Sequence, residues 1–289
     1  MSKKINVLVI CIVLAAAFAA LMGIFTNAGG GEFDYLSIRG EAVKIFGKGV
    51  YRHMSADVAP QGIAQDYVTL FLAAPLALIA LYFANKGSSR ARLALTGVVG
   101  YFLVTYNFYL PMAAYNELFL VYAFLLGTSF FAFTLLMLSF YREIVKDGEV
   151  FAARFSSKAS TGAGGRFLIF NAIAISLLWL GVVVPPLLDG TIVPKAAQHY
   201  TTLIVQGFDL GMGLPLSFVA GWGLLKRRSW GYLLGSVYLI FLSLLMTALV
   251  AKIIAMALLG ANLVPVVFII PLFAFASVYL GIRMLRAFK

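Results

Sequence analysis

The sequence predicts an all-α fold: a polytopic transmembrane helical bundle of eight spans, arranged as a 4+4 parallel internal repeat. Three observations predict it. Of 289 residues, 62% are hydrophobic and 11% charged, well beyond the apolar share of about half that a soluble domain carries. The apolar runs of roughly 20 residues are long enough to cross a bilayer. Of the 22 Lys and Arg, 16 fall in segments that alternation assigns to one side, five on the other, and one, Lys252, inside a span. That asymmetry orients membrane proteins, so the net charge of +11 reports topology rather than nucleic-acid binding. The lipid bilayer is the implied partner, with both termini cytoplasmic.

The first apolar run, residues 5–25, exceeds the core of about 7 to 15 residues of a signal peptide and is read as a retained span. Residues 27–65 form the long outer stretch. Tyr35, Ile38, Ala42, Ile45 and Val50 recur at helical spacing there and predict an amphipathic helix at the membrane surface, or a lid over an outward-facing cavity. The second and third spans, about 66–84 and 93–114, are joined by an inner turn with Lys86, Arg90 and Arg92. The fourth, about 118–140, leads into the largest inner segment, 141–166, whose SSKASTGAGG run reads as a linker. Spans at about 167–187, 202–225, 231–259 and 264–284 follow, with Lys226, Arg227 and Arg228 at the second inner turn.

The hairpin 65–117 has a weaker copy from residue 208. Each places an Asp at the outer end (Asp66, Asp209), a Pro mid-span (Pro75, Pro215) and a basic turn before the return. This divides the chain into a first transmembrane half, 1–140, a cytoplasmic linker, 141–166, and a second half, 167–289. In parallel repeats, sites often lie between the halves.

Polar groups at depth in lipid are costly unless paired or hydrated, so they mark candidate sites. Asp66, Tyr106, Asn107, Tyr109, Asn116 and Glu117 all fall in the outer third of the first half, together with Tyr122. Tyr106 and Tyr109 share a helix face. They either line a cavity with Asn107 and Asp66 or form an interfacial aromatic belt. In the second half, Asp209 and Lys252 lie at matching depth, roughly 10 to 12 Å in at 1.5 Å per residue. They predict a structural salt bridge, a proton- or ion-coupled site, or a snorkelling lysine.

His53 and His199 are weak candidates for a metal or haem because they lack ligand spacing, and no metal or other cofactor is expected. The single Cys11 excludes an internal disulfide. HExxH, GxSxG and Gly-rich phosphate-loop signatures do not occur in the sequence. Three function classes remain: binding or passage of a small solute or ion in an outward-facing polar cavity; a membrane sensor or assembly partner of another protein, or a homo-oligomer; and an intramembrane enzyme acting on a lipid or quinone.

The runs QDYVTL, PLAL, the KGSSR turn, GYFLVTYNFY and YNELFLVY resemble a family of prokaryotic multi-pass membrane proteins. The resemblance covers mainly residues 65–125. It implies a prokaryotic cytoplasmic (inner) membrane and carries over no activity, cofactor or site residue.

Overall fold

The computed structural model describes residues 1–156 and 159–289. Among them are eight helices long and apolar enough to cross a membrane: α1 (Lys3–Phe25), α2 (Ala59–Asn85), α3 (Ser89–Met112), α4 (Phe119–Lys146), α6 (Thr161–Val183), α7 (Ile204–Leu225), α8 (Ser229–Leu258) and α9 (Val266–Ala287). A short helix, α5 (Gly148–Ala153), sits between α4 and α6. Large apolar side chains such as Leu14, Phe71 and Leu177 are exposed along these helices, as a lipid-facing surface requires. The protein is a multi-pass integral membrane protein.

Two spans carry the same interruption. In α2 the segment Thr69–Ala73 is π-helical, with Ala74 N–H reaching back to the Thr69 carbonyl; in α7 the segment Asp209–Gly213 is π-helical, with Leu214 N–H reaching to Asp209. The cause is the following proline. Pro75 and Pro215 have no N–H and would crowd the carbonyl four residues back, and a wider turn relieves that contact. The π segments start at 69 and 209, the α-helices resume at 74 and 214 and end at 85 and 225, and the next helices start at 89 and 229. Each pair is 140 residues apart. At that offset Asp209 falls on Thr69 and Asp66 on Gln206, so the aspartates at the two hairpin ends stand three residues out of step.

Helix α8 is the centre of the bundle. It packs on α2 and α3 from the first half of the chain and on α7 and α9 from the second. Only α3 faces it from the same position in the other hairpin, and α7 touches α3 much less than α2 touches α8. That inequality leaves space between α3 and α7.

The outer stretch is not an amphipathic helix. It forms a β-hairpin, β1 (Phe33–Leu36) against β2 (Ala42–Ile45), antiparallel with Tyr35 opposite Val43. In β2, Val43 and Ile45 are buried and Ala42 and Lys44 exposed, a period of two that the coarser helical spacing concealed. The turn depends on Gly40 at φ +79°, a conformation that ends any helix started before it.

The inner segment expected as an open linker is packed up to residue 156. Phe151 and Phe155 join Phe140 and Phe288 in one aromatic cluster, and Arg154 bonds Glu143 at 2.8 Å and the Lys289 carbonyl at 2.9 Å. Ser157 and Lys158 lie outside the described residues.

Candidate functional site

Asp66 lies about two turns into α2 and is 2% exposed. Its Oδ2 accepts a hydrogen bond from the Tyr51 hydroxyl at 2.5 Å, and its Oδ1 lies 3.1 Å from the Tyr109 hydroxyl, which is also 2.9 Å from the Gly62 carbonyl. Helix α1 closes the other side. A Cβ on Gly23 would stand 1.9 Å from Asp66 Oδ2, so only glycine lets α1 approach the carboxyl. Among the described residues no cation pairs with Asp66 within 4.0 Å.

Tyr51, Tyr106, Tyr109 and Tyr122 form a contiguous ring cluster around this carboxyl, with Tyr106 and Tyr122 stacked at 6.1 Å between centroids. Tyr106 and Tyr122 are each 1% exposed, so they are core residues and not an interfacial belt. The buried Tyr122 hydroxyl lies near Tyr51 and Asn116 without a hydrogen-bond partner. Next to Asp66 in the chain, Gln65 donates to Tyr101 at 2.8 Å and to Thr105 at 3.2 Å, and Tyr101 meets Thr69 at 3.0 Å.

Beside this cluster, between α3 and α7, lies a cavity of about 930 Å³. Tyr51, Gly62, Gln65 and Tyr109 form part of its wall, with Asp66 behind them. Asn107, Trp179, Asp209 and Lys252 line its outer part. Deeper down the wall is Gly100, Leu103, Phe133, Leu216, Val237 and Phe241, broken by Asn171 and by Tyr238, whose hydroxyl donates to the Gly213 carbonyl at 2.8 Å. The buried amide nitrogen of Asn107 and the buried amide oxygen of Asn171 have no partners. Phe130, Leu178 and Met212 line the cavity yet are 52%, 47% and 51% exposed, so it opens through the side of the bundle.

Asp209 and Lys252 share this cavity but do not form the expected salt bridge; among the described residues no N···O contact within 4.0 Å joins them. Asp209 Oδ2 instead accepts from Trp179 Nε1 at 2.9 Å. Lys252 lies in electrostatic reach of both Asp209 and Asp66, linking the two polar groups.

The other candidates lie elsewhere. Asn116 caps the turn after α3, accepting from Leu118 N–H at 2.8 Å and donating to the Ala113 carbonyl at 3.2 Å. Glu117 sits on the outer surface in an ion pair with Arg52; its own backbone amide and then Arg52 hold its carboxyl below the usual range. His199 points its Nε2 at the His53 carbonyl, 3.0 Å away, rather than at the His53 ring. No group of three metal-ligating side chains occurs among the described residues.

That histidine contact belongs to a roof. Arg39, just beyond β1, donates to the Tyr200 carbonyl at 2.7 Å and to that of Gln198; the Gln198 side chain reaches Asp57 at 3.1 Å, and Ser55 N–H reaches the Tyr200 hydroxyl at 3.3 Å. Tyr200 and Ala196 line the outer end of the cavity, so the outer segments of the two chain halves close it together.

Tyr51, Gly23 and Trp179 stand out only in the structure. A tyrosine in an outer loop, a glycine in an apolar run and a tryptophan near a span end carry no local signal of a site. Gln65 did, as half of a polar Gln-Asp pair opening a span.

Fold and site together define a multi-pass membrane protein with one buried carboxyl, in a cluster of tyrosines, beside an interhelical cavity. The chain matches no protein-family model, no curated protein and no solved structure.

Proposed function

We propose that the protein binds a small amphipathic solute in the cavity between two related four-helix halves. The observation that carries this is where the polar side chains of a mainly apolar wall gather: Asn107, Trp179, Asp209 and Lys252 stand near the outer end among apolar neighbours, and the wall beneath them is apolar except for Asn171 and Tyr238. A purely polar solute would leave the lower wall unmatched, and a purely apolar one would leave charged and hydrogen-bonding groups unsatisfied. The lateral opening at Phe130, Leu178 and Met212 suits a ligand that arrives from the lipid.

The constant 140-residue offset supports the 4+4 repeat, with halves 1–140 and 167–289 joined through 141–166. The gathering of Arg90, Arg92, Arg154 and the 288–289 carbonyls at one end of the bundle supports cytoplasmic termini, in a prokaryotic inner membrane.

The test uses Trp179 as reporter. With Trp222 and Trp230 changed to Phe, the full chain in lipid nanodiscs is titrated with a single-chain amphiphile brominated on its tail. Saturable quenching of Trp179 that weakens several-fold in Gly100→Leu, which fills the deep end, is expected. Quenching that is linear in amphiphile and indifferent to Gly100→Leu overturns the reading.

A further inference from the structure

We propose that Asp66 is a proton-binding site that exchanges its proton with the cavity through Tyr109. This does not depend on what the cavity holds. The argument is a count of hydrogens. Tyr51 has one proton and gives it to Asp66 Oδ2. Tyr109 also has one, and two oxygens lie in range: the Gly62 carbonyl at 2.9 Å and Asp66 Oδ1 at 3.1 Å. With a bare carboxylate, the single Tyr109 proton must be shared between two acceptors. With a proton on Oδ1, Asp66 donates to Tyr109, Tyr109 donates to Gly62, and every short contact holds one hydrogen. The group is enclosed in a way that suits this state: Gly23 presses on Oδ2, and no cation stands within 4.0 Å among the described residues.

The titratable groups facing Asp66 are Tyr51 from the outer segment, Tyr101, Tyr106 and Tyr109 from α3, Tyr122 from α4 and Lys252 from α8; α1 presents only Gly23. Lys252 is the only cation among them, and it lines the cavity. Release therefore has a route and a destination. Asp66 passes its proton to the Tyr109 oxygen while Tyr109 passes its own to a water in the cavity, since Tyr109 and Gly62 form part of the wall. Tyr109 ends neutral, the water becomes hydronium, and the new carboxylate faces Lys252.

Infrared spectroscopy of the full chain in nanodiscs reads the carboxylic C=O stretch directly. At neutral pH a protonated-carboxyl band should be present, absent in Asp66→Asn and retained in Asp209→Asn. Tyr51→Phe, which removes the donor to the C=O oxygen, should move the band to higher frequency. Absence of the band from wild-type protein, or its survival in folded Asp66→Asn, overturns the proposal. If Asp66→Asn does not fold, Tyr51→Phe decides alone: an upward shift supports the site, and an unmoved band overturns it.

Discussion

Asp209 and Lys252 line the same cavity without closing an ion pair; the Asp209 carboxylate is instead held by the Trp179 indole N–H at 2.9 Å. A fully buried pair loses about 3 to 5 kcal/mol when one partner is removed, because the other charge is stranded. Here each group already stands apart from the other. A double-mutant cycle of Asp209→Asn and Lys252→Met, read from unfolding in detergent, should give a coupling energy below about 1 kcal/mol. A coupling of several kcal/mol would show that the two residues meet in solution.

Gly23 is predicted to be intolerant because an added methyl meets the Asp66 carboxyl first and the Tyr51 hydroxyl, at 2.9 Å, second. Gly23→Ala puts a methyl 1.9 Å from Asp66 Oδ2 and should destabilise the fold by about 1 to 3 kcal/mol, the usual cost of overpacking. In an Asp66→Ala background, where only the Tyr51 hydroxyl contact at 2.9 Å remains, the same change should cost clearly less. Equal costs in both backgrounds would place the clash elsewhere.

Arg39 holds the roof by donating to two carbonyls of the opposite outer segment. A charge-assisted hydrogen bond contributes about 1.5 to 3 kcal/mol, and about 1.4 kcal/mol is a tenfold change in an equilibrium. With Asn107→Cys as reporter on Cys11→Ala, Arg39→Ala should raise labelling by a membrane-impermeant thiol reagent about tenfold or more. An unchanged rate would mean that access does not run through the roof.

The same roof should loosen in acid. His199 is partly buried between Tyr35 and Tyr200, and burial, with Arg39 adding to it, holds its imidazole below the ordinary histidine value. A histidine depressed in the folded state binds its proton more readily once the contact opens. Its contribution to closure is therefore present above about pH 6.5 and lost as pH falls below that. Labelling of Asn107→Cys should rise between about pH 7 and pH 5, and His199→Gln should flatten the rise. A profile unaltered by His199→Gln would assign the pH response to another group.

Topology is best tested at sites the structure leaves accessible. Ser37 is 4% exposed and accepts two backbone hydrogen bonds in the hairpin turn, whereas Ile38 beside it is 92% exposed. Ile38→Cys should label from the outer face and Lys146→Cys only after permeabilisation. Labelling of Lys146→Cys from outside would reverse the orientation.

The sequence by itself determined the class of protein and the number and approximate limits of its spans. Those depend on local quantities, namely the length of each apolar run and the residues at its ends. The four-residue strands lay below that resolution: Ala42 and Ile45, three apart, fit a helical stripe, while Val43 and Ile45, two apart, fit a strand face, and Gly40 fixes the turn that decides for the strand. Tertiary structure decided the site. Asp66 was conspicuous as an acid in lipid, but Tyr51, 15 residues before it, and Gly23 on another helix meet it only because α1, α2 and α3 converge there. Asp209 and Lys252 matched in depth along their helices, yet depth is one coordinate of three. Whether two side chains at the same level touch depends on how their helices are turned about their axes. That rotation is set by packing across the whole bundle, and here it turns Asp209 to Trp179 and leaves Lys252 on the cavity wall without an ion pair among the described residues.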